Sequence, residues 1–502
     1  MFRMATVLSA SAFVVLMGGT AHAALTADQV WQSWKDAGAL VGLTVSAATE
    51  NKSGDALTLN GVSIAPAGKT GLTISDMVLT EDADGSVTIK PGAAIGVDLT
   101  GEGTTGAVKV THDGLQLKAR EGEGGALVYD YAATALTVTY DAGYPGAPAL
   151  DGTAGKPASS KGSVGFTGLS GSYTDTPGTN RSFGLDIKAA KLDYDVTTDD
   201  PGLPMQTSSV SKTVDVAMAF KVAMPATVSL MQLDSPANFG KALQEGMSLT
   251  VTTKQGTSVG SATHEDALFP YQMTINAGAG DATGVFNKDE FSINSTGEGL
   301  DLDLTSTSLP VPLKIKSGPI VVGLTSPVMS GDVAADYGLV LKLSQVTVND
   351  EAWAMFDPSK ALKRDPADVA IDVSGKAKLD LVALMSAEES GAVPPTPAPE
   401  TLDIKEMTLK IAGAAFAGTG AFTFDNTSGV PMPLGEANVS LTGGNALIDG
   451  LIATGVVTKD DAMGVRMMMG AFMTAEAEPD SLTSKIEAKA GGEIYVNGQR
   501  VQ

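Results

Sequence analysis

The sequence predicts a mainly β protein. Large curved antiparallel sheets should run as meanders, with an internal similarity that suggests two tandem β units. A few short helices and a C-terminal helical hairpin near 445–475 complete the expectation. Three observations carry it. Apolar and polar residues take turns with period two, as in Leu136-Thr-Val138-Thr-Tyr140 and Leu192-Asp-Tyr194-Asp-Val196, which sends one set of side chains to a core and the other to water. Asn-Gly and Asp-Gly pairs punctuate these runs, where reversals need residues tolerant of positive φ. The helices that parallel βαβ units would require between strands are missing.

The clearest stretch is Leu402 to Val457. Leu402, Ile404, Met407, Leu409 and Ile411 alternate with polar residues but slip one place across Lys405-Glu406, as a bulge or bend would make them do. Two further strands (AFTF and ANVSLT) follow, separated by a turn through Ser428-Gly429, and then a helix.

Taken in order, the chain opens on a secretory signal peptide. Arg3 supplies the charge, Ala5 to Met17 are almost wholly apolar, and Ala21-His22-Ala23 is a small-x-small cleavage site. The apolar run is too short to span a bilayer, so residues 1–23 should be removed and the mature protein exported. With no cysteine in 502 residues, disulfides, thiol chemistry and lipid attachment at an N-terminal cysteine are excluded. The formal charge of −24 argues against nucleic acid, which demands clustered Lys and Arg, and against anionic lipid surfaces. No later window has the composition of a membrane span.

Composition divides the mature chain into an N-terminal β-rich unit (24–230), a middle β-rich unit (231–385), a Pro-rich linker or surface loop (386–400), and C-terminal strands with the helical hairpin (401–502). Ala27 to Ala37 reads as a helix capped by Thr26 and ending near Gly38, with Val30, Trp31 and Trp34 on the face that docks onto the first sheet. Short strands follow from Leu43. Asn60-Gly61, Asp84-Gly85 and Asp113-Gly114 read as hairpin turns. Asp141 to Val164, rich in Gly, Pro, Ala and Ser, reads as a mobile loop. Lys241-Ala-Leu243 and Lys360-Ala-Leu362 each follow a proline and precede a strand, which is the internal similarity. In the hairpin, Leu447, Ile448, Leu451, Ile452 and Val456 share a face, Asn445 caps the start, and a second helix begins near Ala462. A strand Glu493 to Val496 and an Asn497-Gly498 turn close the chain.

The sequence assigns no catalytic, cofactor-binding or metal-ligating residue. Gly101 to Gly106 matches GxGxxG, but a strand follows where a dinucleotide site needs a helix. Gly256 to Gly260 matches GxSxG, with His264 and Asp266 beyond, yet no helix follows and the base lies only six residues from Ser258. Ser209 to Lys212 matches SxxK within strand-like sequence. His112 and His264 lack ligand spacing. Met463, Met467, Met468, Met469, Phe472 and Met473 read first as adaptable core filler, with an apolar partner surface and Cu(I) binding as alternatives.

The run Trp353-Ala-Met-Phe356-Asp357-Pro358 through Asp365-Pro366 to Gly375-Lys376 resembles the exported bacterial family called domain of unknown function 2125. The resemblance implies a Gram-negative periplasmic protein and brings no catalytic residues. From the residues themselves, this stretch is a short helix around Trp353, stopped by Pro358 and then Pro366, feeding a strand. The expected function is a non-enzymatic periplasmic protein offering an apolar sheet face to a lipid-like or other apolar small molecule. Alternatives are an envelope assembly factor that binds an envelope protein and, further off, a periplasmic hydrolase. No cofactor is expected.

Overall fold

The computed structural model describes residues 24–40, 42–66, 71–101, 104–146, 157–200, 205–228, 233, 235–266 and 268–502. The expected signal peptide lies outside them. The protein is mainly β and antiparallel, as expected, with six α-helices among the described residues: α1 (Ala27–Leu40), α2 (Pro236–Gln244), α3 (Asp350–Ala354), α4 (Leu381–Ser390), α5 (Gly444–Thr454) and α6 (Lys459–Phe472). None is long and apolar enough to cross a membrane. The described chain forms two compact units. One takes residues up to Thr274 with Ser306–Ser308, and the other takes Ile275–Thr305 with Leu309–Gln502.

In the first unit the strands are β1 (Leu43–Ser46), β2 (Thr49–Ser53), β3 (Ala56–Pro66), β4 (Leu72–Glu81), β5 (Val87–Pro91), β6 (Ile95–Gly101) and β7 (Thr104–Asp113). Then come β8 (Gln116–Glu121), β9 (Leu127–Tyr144), β10 (Ala158–Thr176), β11 (Asn180–Asp200), β12 (Met205–Pro225), β13 (Ser248–Gln255) and β14 (Ser258–Glu265). A crease crosses this sheet. In β3 the buried residues are Leu57 and Leu59 before Asn60-Gly61 but Val62 after it. In β10, Phe166 packs on the core before Gly168, and Leu169 and Tyr173 after it. Single residues in the left-handed region make the parity switch: Gly61 at φ 60°, Gly168 at 63° and Asp215 at 50°. They turn the backbone by one place and so keep the apolar side chains facing one core. Elsewhere the crease falls between strands, so that β9 pairs with β8 along one half and with β7 along the other. β12 divides its partners β13 and β14 in the same way.

Asn60-Gly61 is therefore a kink inside a strand, not the hairpin turn its composition suggests. The strands here are also longer than expected: β9 to β12 run to 18, 19, 21 and 21 residues. β9 and β10 take both ends of the stretch expected to be a loop at 141–164, whose residues 147–156 lie outside the described ones. α1 docks as expected, with Val30, Trp31 and Trp34 0%, 3% and 4% exposed. Thr26 and Gln29 cap it reciprocally, Gln29 N–H donating to Thr26 Oγ1 at 3.2 Å and Thr26 N–H to Gln29 Oε1 at 2.8 Å. It runs past Gly38 to Leu40.

Strand β15 (Tyr271–Ala277) contains the point of division. The second unit continues with β16 (Gly280–Phe286), β17 (Glu290–Gly297), β18 (Leu300–Ser306), β19 (Leu313–Ser317), β20 (Ile320–Pro327), β21 (Ala335–Val348) and β22 (Ala367–Lys378). It ends with β23 (Ala398–Ile411), β24 (Ala414–Asp425), β25 (Met432–Thr442), β26 (Thr474–Ala475), β27 (Ser481–Lys489), β28 (Glu493–Val496) and β29 (Gln499–Arg500). The slip read across Lys405-Glu406 is a bulge, with the register of β23 shifting between Ile404 and Met407. Residues 386–390 belong to α4 and β23 begins at Ala398, so the Pro-rich segment contributes only 391–397 as irregular chain. Lys241 to Leu243 are helical, whereas Lys360 to Leu362 are irregular chain with Lys360 at φ 55°, so these two stretches do not share a local structure. The hairpin is present as α5 and α6. The side-chain cap of α5 comes from Asp480, which accepts from the backbone N–H of Asn445 and of Ala446 at 3.0 Å each. Those backbone donors hold the Asp480 carboxyl below its ordinary range against the opposing effect of burial.

Candidate functional site

The second unit has two unlike faces. On one, charged residues pair across strands: Lys342 reaches Glu406 at 2.7 Å and Asp372 at 3.9 Å, Lys410 reaches Asp368 at 3.3 Å, and Lys485 reaches Glu436 at 2.8 Å. Glu406 is held below the usual carboxylate range chiefly by the Lys342 ammonium. This is a solvated face held by cross-strand pairs.

On the opposite face the register stacks apolar residues into rows. Ile293, Leu324, Leu339, Val373 and Ile404 stand opposite one another across β17, β20, β21, β22 and β23. A second row holds Val322, Leu341, Ile371 and Met407. A third runs through Ile320, Leu343, Val369, Leu409, Phe416, Leu441 and Leu482. The bulge at 405–406 is what keeps Met407 and Leu409 on this face with Ile404. At a strand spacing of about 4.8 Å the third row is roughly 30 Å long.

These rows are not buried. Ile293, Leu324, Leu339 and Leu409 are 40–43% exposed, Val322 and Met407 are 38% and 36% exposed, and the other members are half-buried. Among the described residues of this unit, the large apolar side chains that are buried are Val328, Leu362, Val382 and Ile448, and none belongs to the rows. Among the described residues, a contiguous buried cluster lies in the first unit, from Leu25 to Tyr173. An aliphatic face of this extent left open to water is the mark of a surface that receives something.

The first unit carries a cavity of about 930 Å³ on the polar side of β7, β9, β10 and β11. Lys161 stands opposite Asp141, and Ser163 opposite Asp195. It has the character of a solvated groove.

The motif matches do not assemble sites. Gly101 pairs with Thr104 in the antiparallel β6–β7 hairpin; Glu102 and Gly103 lie outside the described residues. The GxSxG stretch sits on the crease between β13 and β14. There Ser258 Oγ lies 3.0 Å from Thr213 Oγ1, while His264 uses one nitrogen on Thr207 Oγ1 at 3.1 Å and the other on Asp266 at 2.9 Å. Backbone N–H donation from Phe269, then His264, keeps Asp266 below the usual carboxylate range. Ser209 pairs with Val196 inside β12, and His112 meets the Gly92 carbonyl at 3.0 Å. In the Trp353 stretch, α3 stops before Pro358 as expected. Asp357 is fully buried and accepts from the N–H groups of Ala361 and Leu362 at 2.8 and 3.0 Å, which makes the turn a structural joint.

The methionine stripe is where the expectation fails. Met463, Met467 and Met468 are 61%, 70% and 59% exposed, and Phe472 is 46% exposed. In α6 only Ala462 is buried. These side chains are not core filler.

No curated protein sequence matches this chain. Among solved structures, BauA, the ferric preacinetobactin receptor from Acinetobacter baumannii, is similar at 9% identity over 91% of this chain and 86% of that one, with a TM-score of 0.17. A likeness of that size carries no argument. Residues 294–492, which include the whole Trp353 to Lys376 stretch, match the family described as an uncharacterized protein conserved in bacteria, DUF2125, and over that span the chain is similar to it.

Proposed function

We propose that this is a non-enzymatic periplasmic protein that holds the acyl chains of a lipid on the apolar face of its second unit. The observation that carries this reading is the set of in-register aliphatic rows, open to water and backed by an ion-paired polar face. A row of roughly 30 Å is comparable to the hydrocarbon thickness of a bilayer, so whole acyl chains fit along it. The lining is Leu, Ile, Val and Met with few rings, which suits flexible chains better than planar ligands. Periplasmic location rests on the signal-peptide reading of residues 1–23. Ser258 engaged with Thr213, and His264 engaged on both nitrogens, favour this reading over a hydrolase.

Native mass spectrometry of protein purified from its own periplasm tests the proposal. Satellite masses of co-purified lipid are expected, and they should disappear when Leu324 and Leu409 are both replaced by Glu. A bare chain mass, or lipid retained by that variant, contradicts it.

A further inference from the structure

We propose that α6 is a docking helix for a protein whose groove is apolar at its floor and cationic at its rim. This goes beyond the lipid reading and does not rest on it. Met463, Met467, Met468 and Phe472 stand 46–70% exposed, spread over the half of α6 that faces away from the buried Ala462, a broad apolar surface of the kind a helix sets into a partner's groove.

The helix is displayed on fixed supports. Thr458 caps it by accepting from Asp461 N–H at 3.2 Å. Arg466 clamps it to Asp449 at 2.7 Å and to Asn445 Oδ1 at 3.2 Å. At its far end, the Phe472 carbonyl accepts from Ser484 Oγ at 2.7 Å and from Asn497 Nδ2 at 3.0 Å. A helix fastened at both ends presents a preformed surface rather than a moving cover. Methionine side chains adapt to the shape they meet.

Charge then selects the occupant. Asp460 and Asp461 lie in the first turn of α6 and Glu476 and Glu478 in the segment that follows it, against Lys459, while Asp449 and Arg466 neutralise each other. An anionic bilayer would be repelled, and α6 offers no Trp, Tyr or basic face to seat it in a membrane interface. A second copy would bring the same acidic rim. A partner with Lys and Arg around an apolar groove is complementary on both counts.

The test places a photo-cross-linking benzoylphenylalanine at Met467 in the full-length chain, in its own host, with the same group at Val333 (76% exposed) as control. The expected result is one protein adduct specific to position 467, whose sequenced cross-linked peptide lies among apolar residues flanked by Lys or Arg. Its yield should fall about tenfold when Asp460 and Glu478 are both changed to Lys, and also when Met463 and Met468 are both changed to Asp, with thermal melting unchanged in each. Adducts with a second copy, adducts with lipid alone, an adduct indifferent to the charge reversal, or none above the Val333 control would each overturn the proposal.

Discussion

Arg181→Ala should cost the first unit about 3 kcal/mol at pH 7, and part of that loss should vanish at pH 4. Asp175 is 1% exposed and takes two bonds from Arg181, from Nε at 2.8 Å and from Nη2 at 2.5 Å. Burial pushes the Asp175 carboxyl above its ordinary value, with Arg181 pulling it only part of the way back. Tyr129, pushed up to about 12 by burial, and Tyr173, raised for the same reason, pack nearby. Removing Arg181 leaves a lone carboxylate among them. The figure sits at the low end of the range for broken buried pairs because Arg181 is itself 23% exposed. The sign follows from the direction of the shift. An acid whose folded pKa is raised costs nothing while protonated in both states; it destabilises the fold as pH climbs from about 4, where the unfolded chain ionises, through the higher folded value. Urea unfolding followed by Trp fluorescence at pH 4 and pH 7 checks this, since Trp31 and Trp34 lie in this unit's core. A deficit that does not change with pH would contradict it.

Leu79→Ala in the first unit and Leu324→Ala in the second remove the same atoms from unlike settings. Leu79 is 0% exposed inside the buried cluster, so its loss creates a cavity and should cost about 3 to 4 kcal/mol. Leu324 is 41% exposed and leaves no enclosed void, so its loss should cost under about 1 kcal/mol. Urea midpoints of the two variants measure the contrast. Equal penalties would mean that the apolar rows are a packed core after all.

Much of this architecture was legible because it is written in side-chain order. The slip at Lys405-Glu406, the Trp-bearing face of α1, the paired C-terminal helices and the Asn497-Gly498 turn, at φ 50° and 79°, all follow from local pattern. The misses share a cause. Asn60-Gly61 supplies a left-handed residue, and both a hairpin and a kink need one; only the pairing of Val62 with Ile74 beyond it shows that the strand continues. The Gly-rich ends of 141–164 resemble loop, yet a small residue suits a strand whose neighbours cross closely. Methionine stripes look alike whether covered or displayed, and periodicity carries no information about what lies opposite. The alternation led to the expectation of an apolar sheet face, but not to the strand order that stacks it into rows.

Because the chain has no cysteine, a single Leu324→Cys labelled with an environment-sensitive dye reports on that face alone, with Asp403→Cys on the opposite face as control. Titration with lysophosphatidylcholine below its micelle concentration should shift the Leu324 dye to the blue, saturably, and leave the Asp403 dye unmoved. The same response from both dyes, or from neither, would contradict the claim that the open aliphatic face is where a lipid is held.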